Sequence, residues 1–168
     1  MTRLVGLPPL VADNTRLLIL GSFPGAASLA AQQYYGHPQN KFWRILAALY
    51  GVSAEDTCAS SYEKRSAWML SKGVGLWDVY ASCERVGSLD AKIRNAEVND
   101  FASLRLRCPA LQAVAHNGAE SFRHAAQIQA QGLPVLKLPS TSPANASWSF
   151  ERKLAAWREV FEQFGMDI

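Results

Sequence analysis

Residues 17–25 read Leu17-Leu18-Ile19-Leu20-Gly21-Ser22-Phe23-Pro24-Gly25. Four consecutive apolar residues predict a buried strand, and the glycine and proline residues that follow predict an abrupt turn, because neither extends a sheet well. In a parallel α/β sheet, ligands bind in the crevice beyond the carboxyl ends of the strands. A glycine-rich turn at that edge lets backbone amides approach a ligand closely. We therefore expect an active cleft at residues 21–43.

Predicted strands and helices alternate along the rest of the chain. The apolar patterns predict further strands at 74–80, 111–115 and 133–138, and helices at 26–33, 42–49, 60–72, 99–107, 119–131 and 149–164. We expect an irregular lead-in at residues 1–16 and a surface loop at 81–98. Alternation of this kind favours a parallel sheet with helices on both faces. The predicted fold class is α/β, with residues 1–168 forming a single three-layer αβα domain around a four-stranded parallel central sheet.

Composition limits the classes of function. The chain has 168 residues, 49% of them hydrophobic, which is the length and apolar content of one domain with a real core. A net charge of +3 does not by itself indicate a nucleic-acid partner. Three widely separated cysteines form no Cys-x-x-Cys pair, so we expect no disulfide framework, metal or cofactor. With no apolar leader or membrane-spanning stretch, we expect a cytoplasmic protein without a membrane partner.

Three predicted strand ends bring polar or glycine-rich segments to one edge of the sheet. They are residues 21–25, the turn His116-Asn117-Gly118, and residues 139–145. None is a nucleotide-cofactor fingerprint, because both Gly-x-Gly-x-x-Gly and Gly-x-x-x-x-Gly-Lys-Ser/Thr are missing. No Gly-x-Ser-x-Gly elbow occurs either, which argues against an α/β-hydrolase.

These segments resemble those of a known family. The turn at 21–25, the pair Tyr34-Tyr35 and the segment His37-Pro38-Gln39-Asn40-Lys41-Phe42-Trp43 resemble the first motif region of the uracil-DNA glycosylase superfamily. Asn117 and the segment Pro139-Ser140-Thr141-Ser142-Pro143 fall where that superfamily has its base-reading and DNA-inserting segments. The sequence is most similar to the DNA-deoxyinosine (hypoxanthine-DNA) glycosylase branch, with the mismatch-specific uracil/thymine branch next. The resemblance covers roughly residues 17–164.

The resemblance implies a DNA repair glycosylase that flips out a deaminated base, preferably hypoxanthine, and hydrolyses its N-glycosidic bond to leave an abasic site. We expect a monomer acting on double-stranded DNA, with single-stranded DNA as an alternative, and hence association with the nucleoid. No lysine occupies a recognisable Schiff-base position, which favours a monofunctional enzyme. One alternative is a uracil-DNA or G:U/T mismatch-specific glycosylase, and another is a non-catalytic nucleic-acid-binding module. A small-molecule hydrolase would be favoured by a closed, acidic cleft without a basic rim.

The catalytic candidates are Asn40 and Ser22. Many branches of the superfamily hold an Asp or Asn within the first motif, where this chain has Ser22 and Phe23, and Leu138 replaces a histidine found in several branches. In the deoxyinosine branch, an Asn in a His-Pro-x-Asn segment is important for catalysis. The resemblance assigns that position to Asn40. An amide can orient water or donate to the departing base and so lower the barrier electrostatically. The alternative is that Asn40 only caps the following helix.

The base-binding candidates are aromatic or amide side chains. A flipped base needs an aromatic face to stack on, and Tyr35 or Phe23 suits that role by position. Asn117 presents a donor and an acceptor that match the adjacent carbonyl and N–H of hypoxanthine or uracil, and His116 lies beside it. The alternatives are that the aromatic residues pack beneath a loop, that Asn117 caps a helix and that His116 is structural.

The DNA-binding candidates lie in two turns. The first contributes Gly21, Pro24 and Gly25. In the second, the hydroxyls and backbone N–H groups of Ser140, Thr141 and Ser142 suit phosphate oxygens, and the segment Pro143-Ala144-Asn145 suits the space that a flipped nucleotide leaves.

One acidic residue, Asp78, is predicted at a strand end. We favour a role in holding a loop through hydrogen bonds from backbone N–H groups, with activation of water as the lesser alternative.

Overall fold

The apolar run at 17–20 lies inside a four-stranded sheet in the computed structural model, which describes residues 2–168. The strands are β1 (Arg3–Val5), β2 (Leu17–Gly21), β3 (Val74–Asp78), β4 (Tyr80–Glu84), β5 (Arg94–Val98), β6 (Ala113–Asn117) and β7 (Val135–Leu138). The helices are α1 (Ala26–Ala31), α2 (Phe42–Leu49), α3 (Ala54–Ala59), α4 (Tyr62–Ser71), α5 (Phe101–Arg107), α6 (Ala119–Phe122), α7 (Ala125–Gln129) and α8 (Phe150–Gln163).

The main sheet has the strand order β3-β2-β6-β7 and is parallel throughout. Alternate residues of β2 enter different cores: Leu17 and Ile19 pack with α2 and α8, whereas Leu18 and Leu20 pack with residues of α5 and α7. Both faces of the sheet are therefore covered by helices, as expected for buried parallel strands. The predicted α/β class and the four-stranded parallel sheet are confirmed.

A second sheet was not predicted. Strands β1, β4 and β5 form an antiparallel sheet where we expected an irregular lead-in and a surface loop, and a short 3-10 turn lies at Asp90–Lys92. All five residues of β5 are exposed and its pairing with β4 is irregular, so the sequence has no period of two to reveal it. Met1, part of the predicted lead-in, lies outside the described residues.

Several boundaries also differ from prediction. Strand β6 runs on to Asn117, so that His116 and Asn117 belong to the strand rather than to the turn after it. The helix predicted at 119–131 is divided into α6 and α7, and the predicted strand 74–80 is divided between β3 and β4. Helix α3 was missed because none of its residues is buried and its pattern is therefore polar.

Strand pairing sets the strand ends that matter for function. Gly21 pairs with Asp78, Leu20 pairs with His116, and Asn117 pairs with Leu138, so the carboxyl ends of all four strands lie at one edge. Within residues 2–168, no helix is long and apolar enough to cross a lipid bilayer.

Candidate functional site

A cleft of about 730 Å³ opens at the carboxyl ends of the four parallel strands. It is lined by residues of 21–28, the loop before α2, and the segments 88–90, 117–119 and 137–145. The three strand-end segments predicted from sequence therefore meet at one place, together with Tyr35 and Asn40. The volume falls within the range of about 300–1,000 Å³ that small-molecule sites occupy. Of the predicted site residues, His116 is the one that does not line the cleft.

Asn40 bonds to the first residue of α2 from the position before the N-cap Lys41, and it also lines the cleft. Its Oδ1 accepts a hydrogen bond from the backbone N–H of Phe42 at 3.0 Å. Because that partner is a donor, the amide orientation is fixed, with oxygen toward the helix and nitrogen as the remaining polar group. The capping alternative and the functional one are thus compatible: the oxygen holds the helix, and the NH₂ group can donate to a ligand.

Asn117 uses most of its hydrogen-bonding capacity within the protein. Its Nδ2 donates to the Tyr35 and Thr141 hydroxyls, each at 3.1 Å, and its Oδ1 accepts from the Thr141 backbone N–H at 3.1 Å. Two donors and one of two acceptor positions are therefore occupied. In this arrangement Asn117 ties the end of β6 to the segment 139–145 and to Tyr35.

Tyr35 combines a strained backbone with a stacked ring. Its φ of +55° is in the left-handed region, which a bulky residue rarely adopts. The ring stacks on Phe42, with centroids 4.4 Å apart and planes at 26°, so the buried Phe42 supports it from the core. Burial raises the pKa of the Tyr35 hydroxyl above its usual range. Since that oxygen accepts from Asn117, its proton is available for a ligand in the cleft.

Phe23 is held by a residue that the sequence analysis did not single out. The Arg85 guanidinium lies 5.3 Å from the centre of the Phe23 ring. It also donates from Nη2 to the Pro24 carbonyl at 2.7 Å and from Nε to the Gly87 carbonyl at 2.8 Å. Arg85 therefore joins the turn after β2 to the segment after β4. No local pattern reveals a contact between residues so far apart in the chain.

Ser22 makes a side-chain hydrogen bond to another residue that lines the cleft. Its Oγ donates to Asp90 Oδ1 at 2.8 Å, and Ser22 itself is 9% exposed. The hydroxyl at this predicted catalytic position therefore orients a carboxylate at the mouth of the cleft. Asp90 was not predicted as a site residue, because it lies in the segment predicted to be a surface loop.

Asp78 lies in the cleft at the end of β3 and is 5% exposed. Its Oδ2 is buried and has no hydrogen-bond partner among residues 2–168, so the predicted loop-holding role for its side chain is wrong. Burial raises the pKa of Asp78 to about 7; the Asp90 carboxylate acts in the same direction and Arg85 opposes both. Such a carboxyl is partly protonated near neutral pH.

His116 faces away from the cleft and is fully buried. Its Nδ1 lies 2.8 Å from Ser121 Oγ, and that hydroxyl donates to the Leu20 carbonyl at 2.6 Å. Because the serine proton is already used, His116 Nδ1 carries the hydrogen and Nε2 is unprotonated. The histidine connects strands β2 and β6 to α6, in accordance with the structural alternative and not with base binding.

The segment 139–145 is held by its own polar groups. Ser140 Oγ accepts from the Ser142 backbone N–H at 3.1 Å, and Ser142 Oγ accepts from the Ala144 N–H at 3.2 Å. Asn145 Nδ2 donates to the Ser140 carbonyl at 3.1 Å. Thr141 is 1% exposed, and its backbone N–H donates to the Asn117 side chain. The backbone N–H groups of Thr141, Ser142 and Ala144 are thus satisfied internally, whereas the hydroxyl protons of Ser140 and Ser142 remain for a ligand.

The rim beside this segment is basic and aromatic. Lys137 and Trp148 both line the cleft, and the Arg152 guanidinium lies 3.8 Å from the centre of the Trp148 ring. A closed, acidic cleft without a basic rim, which would favour a small-molecule hydrolase, does not describe this arrangement.

Within residues 2–168, no three His, Cys, Asp or Glu side chains cluster as a metal site would require.

Comparison with known proteins shows one family. The sequence profile of the family described as UDG, the uracil DNA glycosylase superfamily, matches residues 8–163. A hypoxanthine DNA glycosylase of Methanosarcina barkeri is 38% identical over 158 residues, which is 94% of this chain and 98% of the relative. A second protein of that name, from Methanosarcina acetivorans, is 37% identical over 93% of this chain and 96% of its own length.

A solved structure gives the same result for the fold. The solution NMR structure of a candidate uracil DNA glycosylase from Methanosarcina acetivorans has a TM-score of 0.85 and 35% sequence identity to this chain. The match covers 97% of this chain and 99% of the other. The similarity therefore includes all the strands whose ends form the cleft.

Proposed function

Because the chain belongs to the uracil DNA glycosylase superfamily, we propose that it releases hypoxanthine from deoxyinosine in DNA and leaves an abasic site. It is a DNA glycosylase, a hydrolase of N-glycosyl bonds whose substrate is DNA. The observation that carries the substrate proposal is the cleft itself, in which an amide, two aromatic side chains and a hydroxyl-rich segment converge. The names of the two Methanosarcina relatives support hypoxanthine over uracil.

The target nucleotide leaves the duplex, and its base enters the cleft between the aromatic residues. Chemistry on a base requires such extrusion, because its atoms are unreachable within the stack. The ring of Tyr35, supported by Phe42, or that of Phe23, supported by Arg85, gives the base a stacking surface. Asn117 acts on the base mainly through Tyr35, whose hydroxyl it orients.

Asn40 is the proposed catalytic residue. Breaking the bond between C1′ and the base nitrogen places positive charge on the sugar and negative charge on the base. The Asn40 oxygen is engaged by the backbone of α2, so its NH₂ group donates to the departing base and stabilises that negative charge. Ser22 contributes indirectly by holding Asp90 at the mouth of the cleft.

The DNA backbone meets the turn 21–25 and the segment 139–145. The hydroxyls of Ser140 and Ser142 donate to phosphate oxygens next to the extruded nucleotide, and residues 143–145 fill part of the space it leaves. Lys137 and the Trp148–Arg152 pair extend this contact along the strand. We propose double-stranded DNA and a single copy of the chain as the acting form.

The first experiment measures release of bases from duplex oligonucleotides that contain one deoxyinosine, one deoxyuridine or a G·T mispair. We expect alkali-labile abasic sites with deoxyinosine, faster than with the other two, and no strand break before alkali treatment. Faster release of uracil would favour the alternative uracil specificity. Binding without release of any base would favour the non-catalytic module and refute the proposal.

Two variants of Asn40 separate catalysis from helix capping. Asn40→Ala removes both the acceptor for Phe42 N–H and the NH₂ donor, whereas Asn40→Asp retains an acceptor and replaces the NH₂ donor with a charged carboxylate oxygen. We expect both variants to lose about 100-fold or more in single-turnover rate. Only Asn40→Ala should lose about 1 kcal/mol of stability. Full activity in Asn40→Asp would show that the NH₂ group has no catalytic role.

A further inference from the structure

A buried carboxyl group, that of Asp78, belongs to the lining of the cleft. Asp78 is 5% exposed, its Oδ2 has no hydrogen-bond partner among residues 2–168, and its side chain lines the cleft. A buried polar atom without a partner costs free energy that the fold does not recover. The side chain therefore gains no stabilising hydrogen bond at Oδ2, although it belongs to the lining of the cleft.

Glycine at position 21 permits this placement. A Cβ on Gly21 would lie 2.5 Å from Asp78 Oδ1 and 3.4 Å from the Tyr35 hydroxyl oxygen, so both groups occupy the space that a side chain would fill. Asp78 thus lies beside Tyr35 in the lining of the cleft, and the Tyr35 hydroxyl accepts a hydrogen bond from Asn117. A base that reaches Tyr35 and Asn117 meets Asp78 as well.

The surroundings favour the protonated carboxyl. Asp90 from the 3-10 turn places a second negative charge near it, and Tyr34 and Tyr35 from the loop before α2 stay neutral, because burial raises the pKa of each hydroxyl. Arg85, after β4, is the opposing positive charge; its donors Nη2 and Nε are bonded to backbone carbonyls, and its buried Nη1 has no hydrogen-bond partner among residues 2–168. Within the described chain, no donor stabilises the ionised form of Asp78 at Oδ2.

We propose that Asp78 protonates the departing base, an inference that depends on the proposed function. As the C1′–N9 bond of deoxyinosine breaks, its electron pair moves into the base, and the carboxyl proton of Asp78 moves to a ring nitrogen of the purine. Hypoxanthine leaves as a neutral molecule and Asp78 becomes a carboxylate. Water adds to C1′ and loses a proton to solvent, and Asp78 takes up a proton before the next turnover.

The test is the pH dependence of the single-turnover rate on deoxyinosine duplex between pH 5.5 and 9, for wild type and Asp78→Asn. The wild-type rate should fall as pH rises through about 7, because the proton donor is lost. Asp78→Asn, which is nearly isosteric, should have a single-turnover rate about 100-fold lower at pH 6, and that rate should not fall as pH rises through 7. The variant should bind the duplex as wild type does. Asp56→Asn, on the exposed helix α3, should match wild type.

The outcomes separate this inference from the proposed function. Wild-type release of hypoxanthine together with an unchanged rate and pH profile in Asp78→Asn would refute only the role of Asp78. A wild-type rate that rises through pH 7 would also overturn it, because the carboxylate would then be the active form. A wild type that releases no base refutes both proposals. The wild-type profile tests the inference even where Asp78→Asn does not fold.

Discussion

At the scale of single residues, the hydroxyl of Ser121 connects three elements. It donates to the Leu20 carbonyl in β2 and accepts from His116 Nδ1 in β6, while Ser121 itself belongs to α6 and is fully buried. His116 fills the position next to the cleft-lining Asn117 without entering the cleft. The histidine therefore helps to hold strand β6, which ends at Asn117.

Ser121→Ala tests this contact. The change removes the hydroxyl that bonds to both the Leu20 carbonyl and the buried His116 imidazole, so we expect a loss of about 1–3 kcal/mol in the free energy of unfolding. Denaturant unfolding at pH 7 measures it. Ser71→Ala is the control, since Ser71 is exposed at the end of α4 and bonds only to a local carbonyl, and it should change stability by less than about 0.5 kcal/mol.

At the scale of elements, the turn after β2 and the segment after β4 behave as one unit. Arg85, 5% exposed, bonds to a carbonyl in each and covers the Phe23 ring. Ser88 Oγ adds a second link by accepting from the Ala26 backbone N–H at 2.9 Å. These contacts fix the part of the cleft wall that the turn after β2 forms.

Arg85→Lys tests whether the unit matters for activity. A lysine keeps the positive charge but cannot make two planar hydrogen bonds and cover the ring at the same time. We expect kcat/KM on the deoxyinosine duplex to fall about tenfold, equivalent to roughly 1.4 kcal/mol. Arg107→Lys, at the exposed end of α5, is the matched control and should retain wild-type kinetics. Equal kinetics in the two variants would show that the two segments need no such link.

Prediction from sequence succeeded where local patterns carry the information. The run Leu17–Leu20 and the apolar stripe of α2 follow from burial alone, and glycine or proline marks their ends. Strand β5 could not be predicted, because it is held by pairing with β4 and has no buried face. Asn40 could be assigned to the site from the resemblance, whereas Arg85 and Asp90 depend on contacts across more than 60 residues.

At the scale of the whole molecule, two buried titrating groups act in opposite directions on stability. Burial lowers the pKa of His116 to about 4, below its unfolded value of 6.5. The contribution of His116 to the free energy of unfolding is therefore lost as pH falls from 6.5 to 4. Burial raises the pKa of Asp78 from 3.8 to about 7, so its contribution is lost as pH rises through that window. Between pH 4 and 6.5 the two effects oppose each other.

A variant that lacks one of these two titrating groups should show the effect of the other on the pH dependence of stability. Relative to wild type, the stability of Asp78→Asn should increase by about 2–3 kcal/mol from pH 4 to 6.5, because the cost of ionising the buried carboxyl is gone. The stability of His116→Gln, relative to wild type, should decrease over the same range by a similar amount. Urea unfolding at half-unit pH steps measures both difference curves, with Ser71→Ala as a control that removes no titrating group. Curves with the same slope in the two variants would contradict the assignment of a neutral, buried His116 and a protonated Asp78, since each depends on the sign of its own pKa shift.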